Sequence, residues 1–233
     1  MSKESFYNST LGKKVIVALT GAGLFGFVLT HMTGNLKMFF GHDSATGRFK
    51  MDLYAEFLRD FGSEMFGHGG FLWIARIALL GMLVLHVICV IQLSLRNKKA
   101  KTSQYENQQY DSANYASRSM IIGGPLILAF IIYHILHFTT GDLHTSNFVH
   151  GAVYSNVYSA FQSTAVVMIY LAAMLLLAMH LYHGIWSMTQ TLGIDNPEWN
   201  TPIRVISKVL ALVISLGFAA VPLSVAFGLL QAP

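Results

Sequence analysis

Residues 71–95 read FLWIARIALLGMLVLHVICVIQLSL, an apolar run whose only charged side chain is Arg76. Coiled as an α-helix at 1.5 Å per residue, such a run crosses the ~30 Å hydrocarbon core of a bilayer, and a helix in lipid satisfies its backbone polar groups within itself. Four further runs of the same kind, 14–40, 119–138, 160–192 and 203–230, flank it. Of the 233 residues, 54% are hydrophobic and 11% charged, and the mean hydropathy is +0.51. That is far from the profile of a water-soluble domain. The expected fold is all-α and integral to the membrane: a single domain, 1–233, with five transmembrane helices and almost no room for a soluble domain. Lys13 and Lys14 give the first run the look of a secretory signal. Its apolar core is too long for one and no small-x-small cleavage site follows, so it is expected to be a mature span.

Lysine and arginine set the expected orientation. With the N-terminus inside, Lys3, Lys13, Lys14, Arg96, Lys98, Lys99, Lys101, Arg118, Arg204 and Lys208 face the cytoplasm, against Lys37, Arg48, Lys50 and Arg59 outside. Ten against four predicts a cytoplasmic N-terminus and an outer C-terminus. The net charge of +4 comes mostly from clusters at the ends of the spans, which fits lipid headgroups and gives no reason to invoke nucleic acid. Cys89 is the only cysteine, so the chain alone supplies neither a disulfide nor a thiolate cluster. Iron-sulfur chemistry, if any, belongs to a partner.

The connections differ in kind. The outer loop 41–70 contains a helical-looking piece, 53–66, whose Leu53, Phe57, Phe61 and Met65 line one side and are expected to lie along the membrane surface. The polar 97–116 segment reads as a cytoplasmic docking loop, and 139–159 as an outer loop rich in His, Ser and Tyr.

Four of the runs each carry a histidine at bilayer depth: His31, His86, His134 and His180. An ionisable side chain there is costly and rarely idle, and imidazole is a ready iron ligand. His31 stands 17 residues past Lys14 and His134 stands 16 past Arg118, so both lie about 25 Å from the cytoplasmic charges. His86 is 10 residues before Arg96 and His180 is 12 before Leu192, about 15 to 20 Å up. The matched heights pair the first helix with the third and the second with the fourth, as diagonal neighbours in a four-helix bundle. Two bis-histidine haems b at two heights are the expected cofactors, with the first four helices bundled around them.

Gly23, Gly26 and Gly34 near His31, Gly81 near His86 and Gly184 near His180 permit close approach of a helix or a macrocycle. Arg76 lies near the height of the His31/His134 pair, where it either neutralises a propionate of the outer haem or snorkels to the headgroups. His137 and His183 follow His134 and His180 by three residues on nearly the same helix face, and spacing alone does not choose within each couple. His42, His68, His144 and His150 fall in outer loops.

The residues Ser9-Thr10-Leu11-Gly12-Lys13-Lys14, Ala18-Leu19-Thr20-Gly21, Thr30-His31-Met32-Thr33-Gly34-Asn35-Leu36, Leu85-His86, Tyr133-His134 and His180-Leu181-Tyr182-His183-Gly184-Ile185-Trp186-Ser187 run over nearly the whole chain. Together they resemble the cytochrome b membrane-anchor subunit of succinate:quinone oxidoreductases, the succinate dehydrogenases and fumarate reductases, in its five-helix, two-haem form. The resemblance implies that His31 and His134 ligate the outer haem and His86 and His180 the inner one. It also implies a flavoprotein (FAD) subunit and an iron-sulfur subunit on the cytoplasmic face of a bacterial inner membrane. Electrons would pass between the iron-sulfur clusters and a quinone, usually menaquinone, and this chain would be the anchor and relay of an enzyme whose soluble chemistry lies elsewhere.

Quinone chemistry needs a proton-handling group. The outer loop offers Glu56 and Glu64, with Tyr54, Phe57 and Phe61 nearby, and two-haem anchors resemble this in placing a functional glutamate there. Some fumarate reductases carry a glutamate two residues before the fourth ligand; Ala178 stands in that place here, which removes that proton path. Two other readings compete. One is a different respiratory cytochrome b, which usually places two ligands on one helix; the other is a haem-free, proton-coupled transporter, which should show broken helices or inverted repeats.

Overall fold

The computed structural model describes the backbone of residues 6–100, 113–144, 148–194 and 196–233, and the side chains of all of these except 100 and 113–119. Lys3, Lys101, most of the polar 97–116 segment and the side chain of Arg118 therefore lie outside the described residues.

Ser9 opens the first spanning helix. Its Oγ accepts the Gly12 N–H at 2.8 Å, satisfying one of the free donors of a helix start, so α1 runs Thr10–Asn35 and begins ahead of the apolar run. A tighter turn, Leu36–Phe40, ends it. Two short helices follow, α2 (Lys50–Asp60) and α3 (Ser63–Phe66), and then the long α4 (Gly70–Ala100). Next come α5 (Ala113–Ile135), which loosens into a π-type turn over Leu136–Thr140, α6 (Val153–Ala160) and α7 (Thr164–Thr191). The last is α8 (Pro197–Ala226), which starts upstream of residue 203 because Asn196 Oδ1 caps the Glu198 N–H at 3.0 Å and Pro197 suits the first helical turn.

Five helices, α1, α4, α5, α7 and α8, are long and apolar enough to cross a membrane. Leu19, Ile77, Ile121, Leu175 and Leu216, one on each, are all at least 60% exposed. Side chains of that kind facing outward on every spanning helix match a lipid surround. The chain is thus a helical, multi-pass membrane protein, and the described residues contain no strand beyond an isolated bridge between His42 and Phe49.

One sequence expectation needs correcting. The 53–66 piece is not one helix: α2 ends at Asp60, and Gly62, at φ +71°, turns the chain before α3. That left-handed conformation suits glycine and breaks the helical register, so Met65 does not continue the Leu53/Phe57/Phe61 side. Lys13 also departs from its expected place among the headgroup-facing charges. It is 3% exposed, its ammonium donates to Gln92 Oε1 of α4, and it stands 3.9 Å from the centre of the Tyr7 ring.

The helices pack in the order α4, α1, α7, α5, with α8 laid along α7 and touching α1. In that order α1 stands diagonally across from α5, and α4 across from α7. At the end of the bundle away from the N-terminus, the far end, a core of Met38, Met51, Tyr154, Phe161, Val166 and Tyr170 joins the short helices to α7 and α8. Asp52 Oδ1 accepts the Tyr154 N–H at 2.9 Å, and the Tyr154 hydroxyl donates to the Gln231 carbonyl at 2.8 Å. These bonds fasten the loop helices over the bundle.

Candidate functional site

Diagonal packing brings the four span histidines together in two couples. The His31 ring on α1 and the His134 ring on α5 have centres 5.9 Å apart with planes at 76°. The His86 ring on α4 and the His180 ring on α7 have centres 6.5 Å apart with planes at 52°. Two helices give independent measures of the height between the couples. On α1, Thr20 touches His86 and lies 11 residues before His31, about 16 Å along the axis. On α7, Tyr170 touches His134 and lies 10 residues before His180, about 15 Å. The two couples therefore occupy two distinct levels.

The spacing within each couple has chemical content. A ligating imidazole nitrogen sits about 2 Å from a first-row metal, and the ring centre lies roughly 1 Å further back, so two imidazoles on opposite sides of one metal have centres about 6 Å apart. Both couples meet that spacing. Among the described residues no three His, Cys, Asp or Glu side chains converge to hold a bare metal ion. Two imidazoles at this spacing fit a metal whose remaining ligands come from a planar macrocycle, as in a bis-histidine haem. A Cβ built on Gly26, Gly81 or Gly184 meets nothing within 4 Å, so these glycines are not spent on helix contacts. Gly23 and Gly34 do face neighbours, Met82 and Tyr54.

Hydrogen bonds fix how the rings are held. The Thr20 hydroxyl donates to the Ile16 carbonyl at 2.7 Å, so its oxygen is left to accept from His86 Nδ1, 3.2 Å away. A hydrogen on Nδ1 leaves the Nε2 lone pair free for a metal. His134 Nδ1 lies 3.2 Å from the Tyr170 hydroxyl. His180 Nδ1 is buried without a partner among the described residues. Phe27 and Phe218 pack on His31, with ring centres at 5.3 and 5.6 Å, and Phe130 and Phe138 pack on His134 at 5.9 and 5.7 Å. The far-end couple thus sits in an aromatic, water-poor setting.

Within each pair that spacing left open, one member faces across the bundle. His134 faces His31, whereas His137, fully buried, turns to Phe138 and His144 with ring centres at 4.2 and 5.1 Å. His180 faces His86, and His183 Nδ1 is buried without a partner among the described residues.

The weaker candidates Arg76, Glu56 and Glu64 are exposed. Arg76 is exposed and its guanidinium lies 5.0 Å over the Trp73 ring. Glu56 is exposed and paired with Arg48 at 2.7 Å, and Glu64 is exposed on α3. The loop histidines have local partners: His42 packs against Phe49, His68 Nδ1 pairs with Asp60 at 2.8 Å, His144 Nε2 bonds the Asn156 carbonyl at 2.9 Å, and His150 packs on Phe148. Two residues past His31, a cleft of about 400 Å³ opens between Thr33, Gly34, Leu36, Lys37, Phe40 and Tyr54.

Sequence reasoning missed Thr20, Tyr170 and Phe218. Each lies on a different helix from the histidine it serves, and only the cross-helix register reveals it. No family model, curated protein or solved structure matches the chain. The functional reading therefore rests on geometry and sequence pattern.

Proposed function

We propose that this chain is the two-haem cytochrome b membrane anchor of a succinate:quinone oxidoreductase. The observation that carries the reading is the pair of facing imidazole couples, each at bis-ligand spacing, stacked about 15 Å apart along the bundle. In this reading His31 and His134 hold the outer haem and His86 and His180 the inner one. The N-terminus is cytoplasmic, in a bacterial inner membrane, and a flavoprotein and an iron-sulfur subunit dock on that face.

Bound haem iron supplies reversible one-electron transfer, and two such centres at two depths give electrons a route through the bilayer. The protein's own contribution is positional. Thr20 keeps the hydrogen of His86 on Nδ1, Tyr170 engages His134 Nδ1, and Phe27, Phe130, Phe138 and Phe218 keep water from the outer couple. The quinone, menaquinone in the usual two-haem form, would bind in the cleft two residues past His31, whose lining offers Thr33, Lys37 and Tyr54 as hydrogen-bonding side chains. Glu56 and Glu64 are the proton-handling candidates on the adjoining loop, and Arg76 is the candidate for a propionate.

Pyridine haemochrome analysis of the purified chain tests this. Two haems b per chain are expected, and the reduced-minus-oxidised spectrum of the untreated protein should be that of low-spin bis-imidazole iron. A preparation without haem overturns the reading and leaves a proton-coupled transporter; one haem per chain points to a different cytochrome b.

A further inference from the structure

The hydroxyl beside the outer histidine couple also reaches a second imidazole, one outside both couples. Tyr170, on α7 and 7% exposed, places its oxygen 3.2 Å from His134 Nδ1 and 2.9 Å from His137 Nδ1. Phe130 and Phe161 close around its ring edge to face, each with centres at 5.0 Å, so the hydroxyl has little freedom to turn elsewhere.

A phenol carries one hydrogen and two imidazole nitrogens compete for it, so only one pattern pairs the hydroxyl with both facing nitrogens once His134 is a ligand. A His134 that binds iron through Nε2 carries its hydrogen on Nδ1 and donates to the Tyr170 oxygen. Tyr170 then donates its own hydrogen to His137 Nδ1. His137 must in turn carry its hydrogen on Nε2, an atom buried with no partner among the described residues. The chain of bonds has one direction, and each link polarises the next.

We propose that Tyr170 is a positioning residue for the outer haem. Its hydroxyl oxygen, polarised by donation to His137, holds the His134 ring and draws on its Nδ1 hydrogen, and thereby lowers the reduction potential of that centre. The inference rests on the two-haem reading. Its physical basis is that a stronger bond from Nδ1–H makes the imidazole a better donor, which favours ferric iron.

The test is a redox titration of the purified full-length chain, followed optically with the two haem components resolved, for the wild type, Tyr170→Phe, His137→Phe and the double variant. Tyr170→Phe removes one oxygen and keeps the ring. The expected result is an outer component of normal amplitude whose reduction equilibrium shifts about tenfold toward ferrous, or 59 mV for one electron, with the inner component unmoved. His137→Phe shifts the outer component the same way by less, and adds nothing in the Tyr170→Phe background, because it acts only through the hydroxyl. Two haems with unchanged potentials in Tyr170→Phe overturn the proposal and leave the two-haem reading intact, as does an independent shift from His137→Phe in the double variant. Should Tyr170→Phe fail to retain the outer component, an unchanged potential in His137→Phe overturns it. A wild type without haem overturns the underlying reading instead.

Discussion

Thr20→Val isolates one hydrogen bond of the inner couple. The two side chains have nearly the same shape, so the packing of a residue that is 8% exposed is kept while the acceptor for His86 Nδ1–H is removed. The hydroxyl's own bonds to the Ile16 and Val17 carbonyls cost little to lose, since both carbonyls stay in the helical ladder. A buried donor left without an acceptor costs about 1–3 kcal/mol. The Val17 carbonyl also lies within reach of the His86 ring and recovers part of this. A net cost of about 1–2 kcal/mol is expected, a factor of about 5–30 in affinity for the group held by His86 and His180. The assay is transfer of haem from the purified protein to excess apomyoglobin, with the two spectral components followed separately. Thr20→Val should lose the inner component about 5–30 times more readily than the wild type, and Thr20→Ser should behave as the wild type. Equal retention in Thr20→Val, or faster loss of the outer component, would refute the reasoning.

Other consequences are local to named contacts. A Cβ on Gly12 would stand 1.9 Å from the Phe6 carbonyl oxygen, so Gly12→Ala must undo the Ser9 cap; a loss of at least about 1 kcal/mol is expected, read as a lower midpoint of thermal unfolding in detergent. Lys13→Ala leaves the part-buried Gln92 contact unmade and removes the cation from the Tyr7 ring, and should cost about 1–3 kcal/mol, whereas the exposed Lys14→Ala should stay within about 0.5 kcal/mol by the same assay. Asp43 accepts the Thr46 N–H and hydroxyl, each at 3.0 Å, and the Ala45 N–H at 3.1 Å, which holds its pKa below the ordinary carboxylate value, with help from Lys50. Because the folded value is the lower one, the loop's stabilisation is present above about pH 4 and is lost as pH falls through the folded value. Amide exchange at Ala45 and Thr46, corrected for intrinsic rate, should rise in that acid range, stay flat from pH 5 to 8, and lose its acid step in Asp43→Asn.

The five spans were legible because lipid leaves the backbone few options: an apolar run long enough to cross must be a helix. Their ends were not, because a helix stops where its caps and turn residues dictate and not where hydropathy falls. Ser9 and Asn196 start α1 and α8 outside the apolar runs, and Gly62 breaks a piece that side-chain periodicity alone reads as continuous. That the couples lie at two levels was readable from residue counts, but counting from Lys14, Arg96, Arg118 and Leu192 puts the levels only about 5 to 10 Å apart, against about 15 Å by the Thr20-to-His31 and Tyr170-to-His180 intervals, because those reference residues do not share one height. The choice between His134 and His137 was not, because the π-type turn over Leu136–Thr140 begins between them and three-residue spacing puts both on nearly one face. Tyr170 and Thr20 stayed hidden because helix-to-helix register is a property of the packed bundle.

The most direct test of the paired-histidine arrangement is the reduced-minus-oxidised spectrum of four single variants, His31→Ala, His86→Ala, His134→Ala and His180→Ala. The first and third should lose one and the same haem component, and the second and fourth the other. Loss of a component with His137→Ala or His183→Ala while His134→Ala or His180→Ala keeps it, or partners that cross between the two levels, would contradict the arrangement.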